Sequence, residues 1–316
     1  MTFRVVLAAD RIGALDSMTA GVALARGFAA NAQVAVVPIA AGGPDLANAF
    51  ASLVGSEAPA ATADRWVVRA PGRILLGLSQ PRTPNWRPDA TTSHLGEWVA
   101  ANVSEEEEVV LDLTGLNSQD GGAGLLAAAR SVLEGRRLVG VAAADELALP
   151  ATGIGGGLAK RAFADRVDVA DLLRADAALV AWADRLAPGL ATAPGGGAAG
   201  TTALAVLALG GELVSGTQFC HRQAGLGGTL AAADLVVTGC SELSALDRGG
   251  PVVSAVTGWA ADAQLPCVLF TTGAGLARRE LRTLGLEAAH LLASATPSEA
   301  DLTAAAARIA TGWVST

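Results

Sequence analysis

Short apolar runs rich in β-branched residues alternate with stretches of helical spacing along the chain, and that alternation confines it to α/β architectures with a largely parallel sheet. FRVVLAAD (3–10), VAVVPIA (34–40), DLVVTG (234–239) and PCVLFTTG (266–273) read as strands ending in small or polar residues. Helical patterns follow them at 17–29, 44–54, 251–262 and 275–284. Ligands of open α/β sheets sit outside the carboxyl ends of the strands, so Asp10, Gly42, Gly43, Thr238 and Gly239 stand where a site can form. The middle of the chain differs. Pro71, Pro81, Pro84 and Pro88 surround short pieces such as GRILLGL (72–78), and glycine clusters recur near 155 and 195. This middle part reads as a second domain inserted into the first. No internal repeat of fixed period is visible.

Residues 115–130, GLNSQDGGAGLLAAAR, raise a sharper question. VVLDL (109–113) before them is a buried-strand pattern, and Leu125, Leu126, Ala129, Val132 and Leu133 after them recur at helical spacing. The unit is strand, glycine loop, helix. Such a loop turns free backbone N–H groups toward an anion at the positive end of a helix dipole. Asp120 in it could take a proton from a substrate hydroxyl. Alternatively it caps the helix, and the glycines only make the turn.

The chain has 316 residues, 51% hydrophobic and 16% charged, enough for two domains with substantial cores. A net charge of −8 and a single lysine, Lys160, among 22 basic residues leave no basic footprint, which argues against a nucleic-acid partner. Cys220, Cys240 and Cys267 are odd in number and lack CxxC spacing, so neither a disulfide framework nor a zinc site is expected and a reducing cytoplasm fits. No signal-peptide pattern opens the chain. The longest uncharged stretch is interrupted by Pro188, Pro194 and glycines, so no membrane span is expected.

ARGF (25–28), VPIAAGGPD (37–45), the 115–124 stretch, PGGGAAG (194–200), GGELVSG (210–216) and ADLVVTG (233–239) follow one another in an order that resembles the bacterial glycerate kinase family. Asp10 with ARGF (25–28) is similar to the family's opening strand, loop and first helix, and VPIAAGGPD (37–45) to its Val-Pro-x-Ala-Asp-Gly-Gly-Glu-Gly. The 115–124 stretch resembles Gly-Gly-Ser-Ala-Thr-Asn-Asp-Gly-Gly-x-Gly, and PGGGAAG (194–200) resembles Pro-Gly-Ala-Gly-Ala-Ala-Gly; GGELVSG (210–216) and ADLVVTG (233–239) follow in family order. The resemblance implies a two-domain α/β fold: a discontinuous Rossmann-like domain of 1–66 and 206–316, with an inserted α/β domain of 67–205. It implies ATP- and Mg2+-dependent phosphoryl transfer to glycerate or a related small hydroxy acid. Asp120 would be the general base. Asp10, Gly42, Gly43, Thr92, Ser93, Gly121, Gly122, Gly124, Arg161, Gly195, Gly196, Gly197 and Gly239 would bind substrate or phosphate, in a cleft lined by Asp10, Gly42, Asp120 and Gly197. A homo-oligomer is one assembly open to such a protein.

The departures are specific. The family's first-loop lysine has no counterpart in DRIGALDS (10–17), where Arg11 is the nearest cation, and arginine does not replace a point charge without a change of geometry. The family's Asp and Glu fall on Ala41 and Pro44, and its Glu-Gly-x-x-Asp on Cys240 to Ser244. These losses leave a second class open, a catalytically inactive member that binds a small anion or serves a regulatory or structural role. Other motifs are blander. GIGGGLAK (153–160) lacks the Gly-Lys-Ser/Thr of a P-loop and reads as a flexible loop. His94, His221 and His290 lack metal-ligand spacing and read as structural, with His94 near enough to Thr92 and Ser93 to reach a ligand. SEEEE (104–108) reads as a solvated turn. Cys240 has no nearby His and reads as a small buried hydrophobe. Trp66, Trp86 and Trp98 read as packing, with a sugar-acid platform the alternative.

Overall fold

The computed structural model describes residues 2–62, 64–79 and 90–314. Pro81, Pro84, Trp86 and Pro88 lie outside the described residues. In chain order the elements run β1 (Arg4–Leu7), α1 (Ser17–Phe28), β2 (Gln33–Val36), α2 (Gly43–Val54), β3 (Ala60–Ala61), β4 (Arg65–Ala70), β5 (Arg73–Leu78), α3 (Ser93–Asn102), β6 (Glu108–Asp112), α4 (Ala123–Leu133) and β7 (Arg137–Ala142). They continue as α5 (Gly157–Ala164), α6 (Val169–Leu186), α7 (Ala203–Ala208), β8 (Glu212–Ser215), α8 (Gly216–Ala224), α9 (Leu226–Leu230), β9 (Leu235–Leu243), α10 (Gly250–Asp262), β10 (Cys267–Ala274), α11 (Arg278–Thr283), β11 (Ala288–Leu291) and α12 (Glu299–Val314). Short 3-10 turns lie at Ala144–Glu146, Leu190–Thr192 and Ala198–Thr201.

The chain divides into two units. One comprises Met1–Ala41, Asn48–Gly55 and Thr217–Thr316; the other comprises Gly42–Ala47 and Ser56–Gly216. The first holds a wholly parallel sheet in the order β11-β10-β9-β1-β2. Its strands are apolar on both faces, as parallel strands covered by helices require. Val5, Leu7, Leu235, Val237, Val268 and Phe270 pack on one face with Ala20, Leu24 and Phe28 of α1 and Leu302 and Ala306 of α12. Asp16 caps α1 by accepting the Thr19 N–H at 2.8 Å. The two helices meet closely because of one missing side chain. A Cβ on Gly27 would stand 2.5 Å from Ala306 Cβ and 2.6 Å from the Thr303 carbonyl oxygen. Beside it the Thr303 hydroxyl donates to the Ala23 carbonyl at 2.8 Å.

The second unit holds a six-stranded sheet in the order β3-β4-β5-β6-β7-β8. β3, β4 and β5 are antiparallel neighbours; β5 to β8 are parallel. Ile74, Leu76, Val109, Leu111 and Leu138 form a core with Leu95 and Val99 of α3 and Leu125, Ala129 and Leu133 of α4. The mixed α/β, two-domain architecture expected from the sequence is what the chain adopts, with the second unit interrupting the first. The second sheet already begins at Ala60, ahead of residue 67, because β4 pairs with β5 along its length; it ends with β8, beyond residue 205.

SEEEE is the expected solvated turn over Ser104, Glu105 and Glu107, which are exposed, but not at its end. Glu108 opens β6, is 6% exposed, and meets Arg137 at 3.2 Å. Glu106 pairs with Arg69. Burial alone would raise the Glu106 carboxyl, but backbone N–H donors, Ser104 first, and the Arg69 charge bring it below its ordinary value. Glu108 alone of the run is hidden, because it is the first residue of the buried strand β6 and has Arg137 as its partner. Trp66 is a core residue, 1% exposed, lying over Gly77, where a Cβ would approach its Nε1 to 2.3 Å.

Gly27→Ala is expected to lower the stability of the first unit by about 1–3 kcal/mol, although alanine is the better helix former, because the added methyl forces α1 and α12 apart. The readout is a lower urea midpoint at unchanged slope. An unchanged midpoint would mean that the helix contact gives way freely.

Candidate functional site

In the second unit, β6 and β7 deliver their carboxyl ends to neighbouring loops, and Asp120 gathers the first of these. Its Oδ2 accepts the N–H of Thr92 at 2.8 Å and of Gly124 at 3.0 Å, while Oδ1 accepts the Gly122 N–H at 3.0 Å. The Thr92 hydroxyl donates to Oδ2 at 2.9 Å and the Thr91 hydroxyl at 3.2 Å. Thr92 Oγ1 in turn accepts the Leu125 N–H at 2.9 Å. One carboxylate thereby closes the first turns of both α3 and α4, which satisfies donors that helix starts leave open. Gly122 takes φ +76° and Gly124 makes room for this: a Cβ there would lie 2.3 Å from the Ser93 nitrogen and 2.5 Å from Thr91 Oγ1.

The TTS turn is sorted by depth. Thr92 is fully buried, Thr91 is exposed, and Ser93 is intermediate. Thr91 Oγ1 and Ser93 Oγ share a hydrogen bond of 2.9 Å. Of the residues read from the sequence as ligand contacts, Thr92 has its hydroxyl committed to Asp120 and Leu125, while Ser93 and the unforeseen Thr91 carry the outer hydroxyls.

The second loop leans on the first. Gly121 N–H donates to Thr201 Oγ1 at 3.2 Å, and a Cβ on Gly200 would come within 2.5 Å of the Asn117 backbone. Ala199, Gly200 and Thr201 all have positive φ, 53°, 61° and 81°. Ala and Thr pay strain for that geometry, so the contacts on either side must hold it. One such contact is the Glu146 carboxylate, which accepts the Ala199 N–H at 2.9 Å. At Gly195 and Gly196 a Cβ would meet the Leu213 and Leu204 side chains at 2.6 and 2.9 Å, whereas Gly197 serves close backbone approach, since a Cβ there would stand 2.2 Å from the Pro150 carbonyl oxygen and 2.8 Å from the Gly157 nitrogen. That approach is the structural role of GIGGGLAK in the structure, since Gly157 opens α5 against Gly197. Arg161 on α5 forms an ion pair with Asp165 at 2.8 Å.

Gly42 and Gly43 belong to this unit as well. The Gly43 N–H donates at 2.7 Å to Oδ2 of Asp112, and Asp112 Oδ1 accepts from the Thr114 N–H at 3.0 Å and hydroxyl at 2.6 Å. A Cβ on Gly42 would fall 2.1 Å from Thr114 Oγ1, so only glycine fits. Asp112 is fully buried, and burial pushes its carboxyl up to about 6 against the opposing pull of the Thr114 and Gly43 donors. Sequence reading passed over Asp112, although a carboxylate inside VVLDL is itself a signal; Glu146 offered none.

The other unit carries Asp10 just beyond the carboxyl end of β1 and Gly239 in the middle of β9, which runs past the expected strand end to Leu243; the Asp10 N–H donates to the Gly239 carbonyl at 3.0 Å. Ile12 lies over Gly239, where a Cβ would meet its Cδ1 at 2.5 Å. Asp10 Oδ1 accepts the Arg11 N–H at 2.8 Å, and Gly13 N–H donates to Ser241 Oγ at 2.9 Å. Cys240 is buried, and its thiol is pushed up to about 11, chiefly by burial, so it is no nucleophile. His290 stacks near Phe270 and burial lowers it; His221 stacks near Trp259. No three ligating side chains gather as a metal site among the described residues, and no helix there is long and apolar enough to cross a membrane.

One parallel and one mixed sheet, with loops at their carboxyl ends that carry glycine turns and carboxylates, make this a two-domain α/β protein. Residues 159–312 match the glycerate kinase family, which bears out the resemblance carried by the motifs. A crystal structure from Salmonella typhimurium LT2, assigned as a glycerate kinase 2, superposes with a TM-score of 0.75 at 19% identity, covering 99% of this chain and 98% of that one, and so shares the fold. The uncharacterized proteins Mb2228c of Mycobacterium bovis and MT2261 of Mycobacterium tuberculosis are each 28% identical, over 92% of this chain and 84% of theirs.

The raised Asp112 carboxyl has a testable sign. The folded protein holds this proton more tightly than the unfolded chain, so Asp112 contributes stability below pH ~4 that is lost as pH rises through about 6. Unfolding free energy measured from pH 4 to 7 should therefore fall in wild type relative to Asp112→Asn, by roughly 3 kcal/mol across the window. A difference independent of pH would show that Asp112 titrates normally.

Proposed function

We propose that the chain transfers a phosphoryl group from ATP, with Mg2+, to glycerate or a related small hydroxy acid. The observation that carries this reading is the clustering of Asp120, Thr91, Ser93 and the Gly121–Gly124 turn beside the β6 end, with the 195–201 loop against it. Its support from outside the chain is the family match over 159–312. In this reading Asp120 is the base toward the acceptor hydroxyl, and Ser93 and Thr91 face the acceptor. Phosphoryl transfer needs positioning and charge neutralisation more than covalent chemistry. A Mg2+ would arrive on the nucleotide phosphates and need only one or two carboxylates from the chain. Free cysteines in a buried state favour a reducing compartment such as the cytoplasm.

A second reading, a family member that has lost catalysis and keeps ligand binding, is favoured by one observation. The N–H groups of Gly43, Gly122, Gly124 and Ala199 already bond to carboxylates of the chain itself, which leaves fewer donors for a phosphate. The missing first-loop lysine points the same way.

Thermal unfolding with and without Mg-ATP, and separately with glycerate, tests the choice, because a ligand that binds only the folded state raises its stability. A rise with Mg-ATP followed by turnover in a coupled assay supports the kinase. A flat response to Mg-ATP at millimolar concentration sinks it, and a rise with glycerate alone then favours the binding protein. In an active enzyme Asp120→Asn should lower kcat by about 100-fold or more. It should also cost about 1–3 kcal/mol of stability, since the new amide turns donors toward N–H groups.

A further inference from the structure

We propose that Ser93 and Thr91 form a proton relay from the acceptor hydroxyl to Asp120; the relay rests on the kinase reading above. Asp120 Oδ2 is crowded, because it already accepts the N–H groups of Thr92 and Gly124 and the hydroxyls of Thr91 and Thr92, while Oδ1 accepts the Gly122 N–H and shares the Thr92 hydroxyl. From Oδ2 a route outward runs through hydroxyls. Thr91 Oγ1 donates to Asp120 Oδ2 at 3.2 Å and shares a 2.9 Å bond with Ser93 Oγ, in which either oxygen can be the donor. With Ser93 donating to Thr91 and Thr91 to Asp120, every bond points the same way. Ser93 and Thr91 are also the outer members of the turn, whereas Thr92 is sealed beneath them.

The transfer balances along bonds already made. As the acceptor oxygen bonds to the γ-phosphorus, its proton passes to Ser93 Oγ, the Ser93 proton to Thr91 Oγ1, and the Thr91 proton to Asp120 Oδ2. The bond between the γ-phosphorus and its bridging oxygen breaks, and its electron pair leaves with ADP. Asp120 then returns the proton to water. No further lone pair is needed on the crowded carboxylate, since the arriving proton occupies the line on which Thr91 already donates. Gly124 is what lets the relay sit there, because a Cβ would lie 2.7 Å from Ser93 Oγ.

The test is single-turnover phosphoryl transfer to glycerate by the full chain with Mg-ATP, for wild type, Thr91→Val, Thr91→Ser and Ser93→Ala, in water and in deuterium oxide. The expected result is a 10- to 100-fold loss of rate in Thr91→Val and Ser93→Ala with little change in KM, near-full rescue in Thr91→Ser, and a solvent isotope effect that shrinks in the two impaired variants. Because Thr91 and Ser93 reach the surface, all four proteins should unfold at similar temperatures. Unchanged rates, equal losses in Thr91→Val and Thr91→Ser, or a rise in KM alone would overturn the relay while leaving the kinase reading intact. A wild type that transfers nothing to any hydroxy acid would overturn both.

Discussion

The second unit depends on backbone N–H groups that its glycine turns leave open and that its own carboxylates close. Asp120 ties the first turn of α3 to that of α4, Asp112 holds Gly43, and Glu146 holds Ala199. Hydrogen bonds with a charged partner are among the stronger ones a chain can make, and leaving such donors unmet would cost more than the bonds yield. The glycines matter less as flexible links than as places where one backbone can lie against another, as Gly197 does against Gly157 and Gly200 against Asn117.

Much of the fold was legible because hydrophobic periodicity is local. VVLDL became β6, the apolar positions after Asp120 became the buried face of α4, and the four runs expected as parallel strands form β1, β2, β9 and β10. The site was legible only in part. The glycine motifs marked where loops meet, but the contacts that define them run over long separations: Gly43 to Asp112 spans 69 residues, and Ala199 to Glu146 spans 53. No local pattern encodes such a pair. Nor does composition reveal that Ala199 and Thr201, neither of them glycine, hold left-handed backbone, since the surrounding contacts impose it. The sorting of Thr91, Thr92 and Ser93 by depth likewise follows from the α3–α4 packing, which a TTS triplet alone does not specify.

Electrostatics separates the three carboxylates by what they can do. Asp112 is sealed from water, so its charge is costly and its proton is held until about pH 6. A buried acid of that kind suits a structural tie and cannot touch a substrate. Asp120 and Glu146 are only partly covered, and each lies one hydrogen bond from a loop that the surface reaches. Of these, Asp120 alone is joined to outward hydroxyls.

That connection bears on how a chain lacking the expected first-loop lysine could still act on a hydroxy acid. Cations chiefly stabilise the moving phosphate, whereas deprotonation of the acceptor is a separate demand, met by a carboxylate reached through hydroxyls. Loss of one cationic donor costs on the order of a hundredfold in rate, which slows an enzyme without abolishing its chemistry. In the proposed reading the acceptor side keeps its carboxylate and hydroxyls, whereas the phosphate side lacks the expected lysine. On the proposed kinase reading, such a chain is better equipped to bind and orient a small hydroxy acid than to neutralise the phosphate transferred to it.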